Sequence, residues 1–209
     1  MRAHFDAFAD VFDLALGRLD YRVPELVASA LRVAASHAGG HPFPTLLDAG
    51  CGTGLCGPLV RELCGRLIGV DLSPRMLHHA RQRGCYDEVV AAELGAFMRS
   101  RIEAFDAICC ADTFVYFGTL ADPLAAAHQG LRAGGPLVFT VEALLEPDAA
   151  GYRLGVSGRY LHSEAYLQRV LRESGFRVES IARQVVRQEM GRDVEGFLVT
   201  ARHVAAQNA

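Results

Sequence analysis

The amino-acid sequence predicts an α/β protein with a doubly wound, mainly parallel sheet. Three observations carry that prediction. Short apolar runs alternate with helix-patterned segments between residues 45 and 141, as strands covered by helices on both faces do. The runs close on glycines or an acid, where a loop leaves the end of a strand. The last two strand-like runs, Phe176-Arg177-Val178-Glu179 and Gly196-Phe197-Leu198-Val199-Thr200, have no helix between them. Their link, Gln188-Glu189-Met190-Gly191-Arg192-Asp193, is too short for a parallel crossover, so antiparallel neighbours are expected.

In chain order, Phe5, Phe8, Phe12, Leu16 and Leu19 recur at helical steps and form the stripe of an N-terminal amphipathic helix. A second helix is expected from Pro24 to about His37, with Leu26, Ala30, Leu31 and Ala34 inward, before Gly39-Gly40-His41-Pro42 breaks the chain. Thr45 to Ala49 reads as the first strand, Leu55 to Cys64 as a helix, and Leu67 to Asp71 as the second strand. Ser73-Pro74 offers an N-cap and a first-turn proline to a helix that buries Met76, Leu77 and Ala80 and stops at Gly84. Glu88 to Ala92 and Phe105 to Ala111 are the third and fourth strands. Asp122-Pro123 starts a helix that Gly134-Gly135 ends, and Leu137 to Val141 is the fifth strand. Ser163 caps a further helix carrying Leu167, Val170 and Leu171.

The 209 residues, 51% hydrophobic and 22% charged, have the composition of a globular domain. A net charge of −3 leaves no basic footprint for nucleic acid or an anionic membrane. No apolar run approaches the ~20 residues of a membrane helix. The opening MRAHFDAFADVF mixes acids among its apolar residues, unlike a signal peptide, and a cytoplasmic protein is expected. All 21 basic residues are arginine, which removes lysine Schiff bases and the P-loop lysine. His-Glu-x-x-His is absent, and Gly155-Val156-Ser157-Gly158-Arg159 has Arg where a nucleophile elbow needs Gly. The six cysteines, Cys51, Cys56, Cys64, Cys85, Cys109 and Cys110, contain no Cys-x-x-Cys pair, so no metal site is expected. Cys109 and Cys110, within an apolar run, read as reduced core.

Leu47-Asp48-Ala49-Gly50-Cys51-Gly52-Thr53-Gly54 lies between the first strand and its helix. Glycines there allow positive φ and close approach of a ligand to the backbone. Asp71, at the end of the second strand, is placed to take both hydroxyls of a ribose. A dinucleotide fingerprint reads Gly-x-Gly-x-x-Gly, with a helix dipole on the pyrophosphate. Here the spacing is Gly-x-Gly-x-Gly, and Asp48 would repel a pyrophosphate while suiting an ammonium group. S-adenosylmethionine has a ribose and an amino-acid end and no phosphate.

Asp48 to Gly54 with Val70-Asp71 resembles the first two motifs of class I S-adenosylmethionine-dependent methyltransferases, and the likeness continues through Phe105-Asp106-Ala107-Ile108 and Leu131-Arg132-Ala133-Gly134-Gly135. A narrower similarity is to the methyltransferase domain of bacterial proteins that carry tetratricopeptide repeats ahead of it. It rests on Phe5-Asp6-Ala7-Phe8, Leu19-Asp20-Tyr21-Arg22-Val23-Pro24, Cys51 to Leu59 and Ser157 to Ser163. The resemblance implies a Rossmann-like doubly wound sheet of seven strands with the last antiparallel. It also implies S-adenosylmethionine as cofactor, S-adenosylhomocysteine as product, and one domain over 1–209. Within that domain, 1–40 would be a helical lid, 44–142 the cofactor-binding core, and 143–209 a substrate loop, helix and closing β-hairpin.

The same resemblance implies the contacts. Asp48 and the backbone of Gly50, Cys51, Gly52 and Gly54 would hold the methionine part, with Tyr21 approaching its amino-acid end. Asp71 would hold the ribose, with Leu72 and Met76 near the adenine. Glu93 and Leu94 match the adenine-edge position, where the family often has Asp. Ala111 and Asp112 would lie beside the sulfonium. General-base candidates are Asp112, His128, Glu142, Tyr160 and His162. His162 is preferred as the catalytic base, and Asp112 is expected chiefly to shape the pocket. His128, His78 and His79 read as structural or solvated. Arg153 and Arg159, in a glycine-punctuated loop, could hold an anionic acceptor, although keeping the protein soluble is the simpler role.

Neither an Asn- or Asp-Pro-Pro-aromatic motif nor a Pro-Cys nucleophile occurs. A small-molecule acceptor, methylated at O or N rather than C, is therefore expected, with a protein acceptor as alternative. Two rival readings are a nicotinamide-dependent oxidoreductase, which the glycine spacing and Asp48 disfavour, and a non-catalytic partner-binding module on the same fold.

Overall fold

The computed structural model describes residues 2–17, 19–37 and 43–204. Phe43–Ala49 (β1), Cys64–Asp71 (β2), Glu88–Ala91 (β3), Ala107–Cys110 (β4) and Pro136–Ala143 (β5) form a parallel sheet in the order β3-β2-β1-β4-β5. Every residue of β5 is buried, as a central strand under helices on both faces must be. Side chains alternate across the sheet. Leu46, Ala107, Cys109 and Val138 join the layer containing Val27 and Leu31 of Val23–His37 (α3). Their neighbours Leu47, Ile108, Cys110, Leu137 and Phe139 join the opposite layer. That layer holds Phe97 of Leu94–Arg99 (α6), Leu124 of Ala121–Gly130 (α7) and Leu167 of Glu164–Glu173 (α8).

Strand order reverses between β1 and β4. Their carboxyl ends feed crossovers in opposite directions and leave a crevice between the two loops, where ligands bind in open α/β sheets. Pro74–Gln82 (α5) follows β2; Ser73 caps it by accepting the Met76 N–H at 3.1 Å, as its sequence predicts.

The chain ends as expected, in Phe176–Glu189 (β8) and Arg192–His203 (β9), with β9 antiparallel to both β5 and β8. Met190 and Gly191 both have positive φ, the backbone a two-residue type I′ hairpin turn requires. The register of β8 against β9 shifts between Val185 and Arg187, a bulge at Val186. The Val186 carbonyl accepts the Arg22 N–H at 3.1 Å, and the Gln188 N–H reaches the Leu19 carbonyl at 2.6 Å.

Among the described residues the sheet holds nine strands, the seven expected and two more. Tyr152–Leu154 (β6) and Tyr160–His162 (β7) form a hairpin in the segment expected as a loop, and β7 joins the far end of β5 at Glu142 and Ala143. Three-residue strands leave too little alternation to read. Helix α6 is absent from the sequence reading. The helix expected over Leu55–Cys64 is only Gly57–Val60 (α4) plus a 3-10 turn, and Phe105 lies outside β4 as an isolated bridge to Leu131. On α3 the inward stripe runs Val23, Val27, Leu31 and Ala34, with Leu26 and Ala30 half-buried at its margin. The N-terminal stripe divides into Arg2–Phe8 (α1) and Phe12–Gly17 (α2) around a 3-10 turn. The break at Gly39-Gly40-His41-Pro42 lies outside the described residues.

Candidate functional site

The loop after β1 is tied down by backbone bonds: the Gly50 and Cys51 N–H groups both donate to the Val70 carbonyl, at 2.8 and 3.0 Å. Gly50 has φ +76°, and a Cβ there would run into the Thr113 side chain on the loop after β4. The two loops therefore meet only because residue 50 has no side chain. Gly52, at φ +54°, has open space where a Cβ would be, and its N–H donates to Asp71 Oδ2 at 3.0 Å. Gly54 departs from expectation. It does not line the cleft, and a Cβ there would meet Ala80 and Tyr86, so it is a packing glycine beneath α5. Helix α4 starts only at Gly57, so no helix N-terminus sits at Gly50–Gly52 to receive a diphosphate.

Asp48, 1% exposed at the end of β1, accepts the Tyr86 hydroxyl at 2.6 Å and the Cys109 thiol at 3.7 Å. Burial raises its carboxyl from 3.8 to about 6 against those two bonds. Asp71 holds one backbone N–H on each oxygen, Gly52 on Oδ2 and Ser73 on Oδ1, and burial again lifts its pKa foremost. Each carboxylate oxygen keeps further acceptor capacity. Leu72, Met76 and Leu94 line the cleft beside it. Glu93 also lines it, but both its oxygens cap α6, accepting the N–H groups of Gly95 at 2.9 Å and Ala96 at 2.6 Å. Like those of Asp71, each Glu93 oxygen accepts one backbone N–H and keeps capacity for another donor.

The cleft is roofed by Phe5 of α1 and by Phe12 and Leu16 of α2. Three carboxylates fasten this roof. Asp6 accepts the Ser73 hydroxyl at 2.6 Å, Asp10 pairs with Arg75 and with His79 at 3.1 Å, and Asp13 takes Thr53 and Arg83 at 2.5 Å each. Helical spacing puts all three on one face. Tyr21, at the foot of the roof, also lines the cleft.

At the opposite wall stand Ala111, Asp112, Thr113, Tyr116 and Arg159. Behind them lies a cluster that the sequence reading missed. Arg187, 0% exposed, binds Glu142, Glu189 at 2.6 Å and Asp112 Oδ2 at 3.4 Å. Burial opposes the Arg187 charge, and the Asp112, Glu142 and Glu189 carboxylates outweigh it, holding the guanidinium above its usual range. Arg159 lies 3.0 Å from Glu189 and 3.7 Å from Glu142. Asp112 Oδ1 is buried without a partner among the described residues, and burial raises the carboxyl despite both arginines.

Several candidates fall away from the cleft. His162 is 0% exposed on β7, hydrogen-bonded through Nε2 to the Gly118 carbonyl at 2.9 Å and stacked on Tyr166. Burial drops its pKa to about 4. It is a packed core imidazole, and the expectation that it serves as base is corrected. Glu142, buried, is held by Arg187. Tyr160 packs against Tyr152. His128 packs edge-on against His203 and Phe176. His79 serves the roof through Asp10, and His78 meets Gln82. Arg153 pairs with Glu146 outside the cleft.

Residues 47–139 match the family model described as "Methyltransferase domain". A malonyl-[acyl-carrier protein] O-methyltransferase of Salmonella typhimurium is 33% identical over 101 residues, covering 48% of this chain and 40% of that protein. A mitochondrial ubiquinone biosynthesis O-methyltransferase of Bos taurus is 26% identical over 146 residues, covering 66% of this chain and 39% of that protein. The chain thus spans about two fifths of the length of these curated relatives. Among solved structures, Burkholderia thailandensis 1,6-didemethyltoxoflavin-N1-methyltransferase, with bound 1,6-didemethyltoxoflavin and S-adenosylhomocysteine, superposes with a TM-score of 0.71. It is 22% identical, covering 98% of this chain and 87% of that one. Over residues 47–139 the chain is thus similar to methyltransferase domains, and it shares the fold of a methyltransferase.

Proposed function

We propose that the protein transfers a methyl group from S-adenosylmethionine to a small-molecule acceptor. The observation that carries this reading is Asp48: a buried carboxylate under a glycine loop, with no helix N-terminus beside it, fits an ammonium group and repels a diphosphate. The cofactor, when bound, supplies a methyl carbon on a sulfonium sulfur, a good leaving group. Asp48 would pair with its ammonium, Asp71 would accept its ribose hydroxyls on remaining lone pairs, and Leu72, Met76 and Leu94 would flank its adenine. Tyr21 stands at the amino-acid end. Within the segment 1–40, α1 and α2 act as the lid and exclude water, whereas α3 packs against the sheet; the core is 44–142 and the acceptor-facing part 143–209, all in one domain. What remains for the chain is to hold the acceptor in line, ~3 Å from the methyl carbon.

The two O-methyltransferases and the N1-methyltransferase named above support an oxygen or nitrogen acceptor on a small molecule. The segments Phe5–Phe8, Leu19–Pro24, Cys51–Leu59 and Ser157–Ser163 support placement with the tetratricopeptide-linked subgroup. Among the described residues no helix is long and apolar enough to cross a membrane. Isothermal titration with S-adenosylhomocysteine tests the reading: saturable binding is expected, with none for NADH. NADH binding without S-adenosylhomocysteine binding would transfer the site to the nicotinamide class.

A further inference from the structure

We propose that Asp112 is the acceptor-binding carboxylate of the cleft, and that the acceptor is a neutral hydroxyl compound whose proton Asp112 Oδ1 receives. The inference rests on the methyltransferase reading and names the acceptor's chemistry within it. Asp112 lines the cleft beside Ala111, at the carboxyl end of β4. Its φ of +52° lies in the left-handed region, which Asp adopts more readily than most residues. Its N–H is fixed by donation to Thr140 Oγ1 at 3.0 Å, and Arg187 holds Oδ2 at 3.4 Å. Oδ1 has no partner among the described residues, although it is buried. A buried acceptor atom left unmatched among satisfied neighbours calls for a ligand donor.

The surrounding charge selects the kind of donor. The groups facing Asp112 are Arg187 from β8, Arg159 ahead of β7, Glu142 from β5, Glu189 at the end of β8, and Tyr21 below the roof. Three carboxylates thus share two guanidinium groups, and both arginines are already engaged. Neither cation of this cluster is spare for an anionic acceptor, which answers the expectation raised for Arg159. A hydroxyl acceptor must shed a proton as its oxygen is methylated. Burial raises the Asp112 carboxyl and so strengthens it as a proton acceptor. In the transfer, the acceptor O–H bond breaks toward Oδ1 and the proton ends on the Asp112 carboxyl. The electron pair left on oxygen forms the new bond to the methyl carbon, and the carbon–sulfur pair departs with the sulfur of the sulfonium donor.

The test uses phenol and benzoate as probes of the full chain saturated with S-adenosylhomocysteine, followed by ligand-observed NMR titration. Phenol should bind about tenfold or more tightly than benzoate. Asp112→Asn, measured at saturating S-adenosylhomocysteine, should erase or reverse that ratio; Asp112→Ser serves should the amide variant not fold. Equal or tighter benzoate binding to the wild type, an unchanged ratio in the variants, or no binding of either probe would overturn the proposal. Failure of S-adenosylhomocysteine to bind the wild type would instead strike the methyltransferase reading, and this proposal with it.

Discussion

Replacing Asp48 with asparagine separates what that carboxylate does for ligand binding from what it costs the fold. In the folded chain its pKa stands at about 6 against 3.8, because burial outweighs the Tyr86 and Cys109 bonds. A group raised on folding contributes stability that is complete below 3.8 and lost as pH rises through about 6. At neutral pH the folded protein therefore holds an ionised carboxylate at a cost of about 3 kcal/mol. The amide that Asp48→Asn introduces would still accept the Tyr86 hydroxyl and would carry no charge. The ligand-free variant should be more stable by about 1–3 kcal/mol, the lower figure allowing for an amide group without a full set of partners. For a chain of this length that raises Tm by about 3–10 °C. The same change removes the counter-charge for an ammonium, so S-adenosylhomocysteine should bind about 10–100-fold more weakly. Calorimetric melting without ligand and titration with ligand read the two effects separately. A Tm at or below that of the wild type would refute the burial argument, and unaltered affinity would refute the ammonium assignment.

Three further outcomes are expected. The pKa of His162 falls from 6.5 to about 4 on folding, so its contribution to stability is present above 6.5 and is lost as pH drops toward 4. The loss amounts to about 3 kcal/mol, in the opposite direction to the Asp48 effect over the same range. His162→Gln should flatten the acid side of a Tm-against-pH curve, and an unchanged slope would show that the imidazole protonates freely. Five of the six cysteines are buried, and Cys85 is partly exposed; Ellman's reagent should label Cys85 first in the native protein and all six only after denaturation. Asp13→Ala removes the contacts from α2 to Thr53 and Arg83, and stopped-flow measurement should show S-adenosylhomocysteine leaving severalfold faster, with its association rate little changed. Faster association of similar size would mean that the roof also bars entry.

The parts of the site that could be read in the sequence are those built from neighbouring residues. Gly50, Gly52 and Asp48 belong to one strand and its turn, and Asp71 ends the next strand, so spacing alone placed them. Ser73 and Ser163 cap their helices because capping is a bond across three residues. Contacts between distant residues were hidden. Arg187 meets Glu142 across 45 positions and Asp112 across 75, so Glu142 had no visible partner and Asp112 no visible support. Gly54 looked like ligand-facing backbone because Tyr86 and Ala80, which press on it, come from later elements. His162 read as a base because the hairpin that buries it consists of two strands of three residues each. Glu93 is a different case: the helix it caps has only six residues and includes Gly95, too little pattern to show the capping role.

The two main-chain bonds that bracket Arg187, from Arg22 to Val186 and from Gln188 to Leu19, fasten the start of the chain to the strand carrying the buried guanidinium. Any swing of α1 and α2 must end at that seam and leave α3 in place. The doorway over one ligand and the wall facing the other thus share a single hinge post, and a change at Val186 would be felt at both.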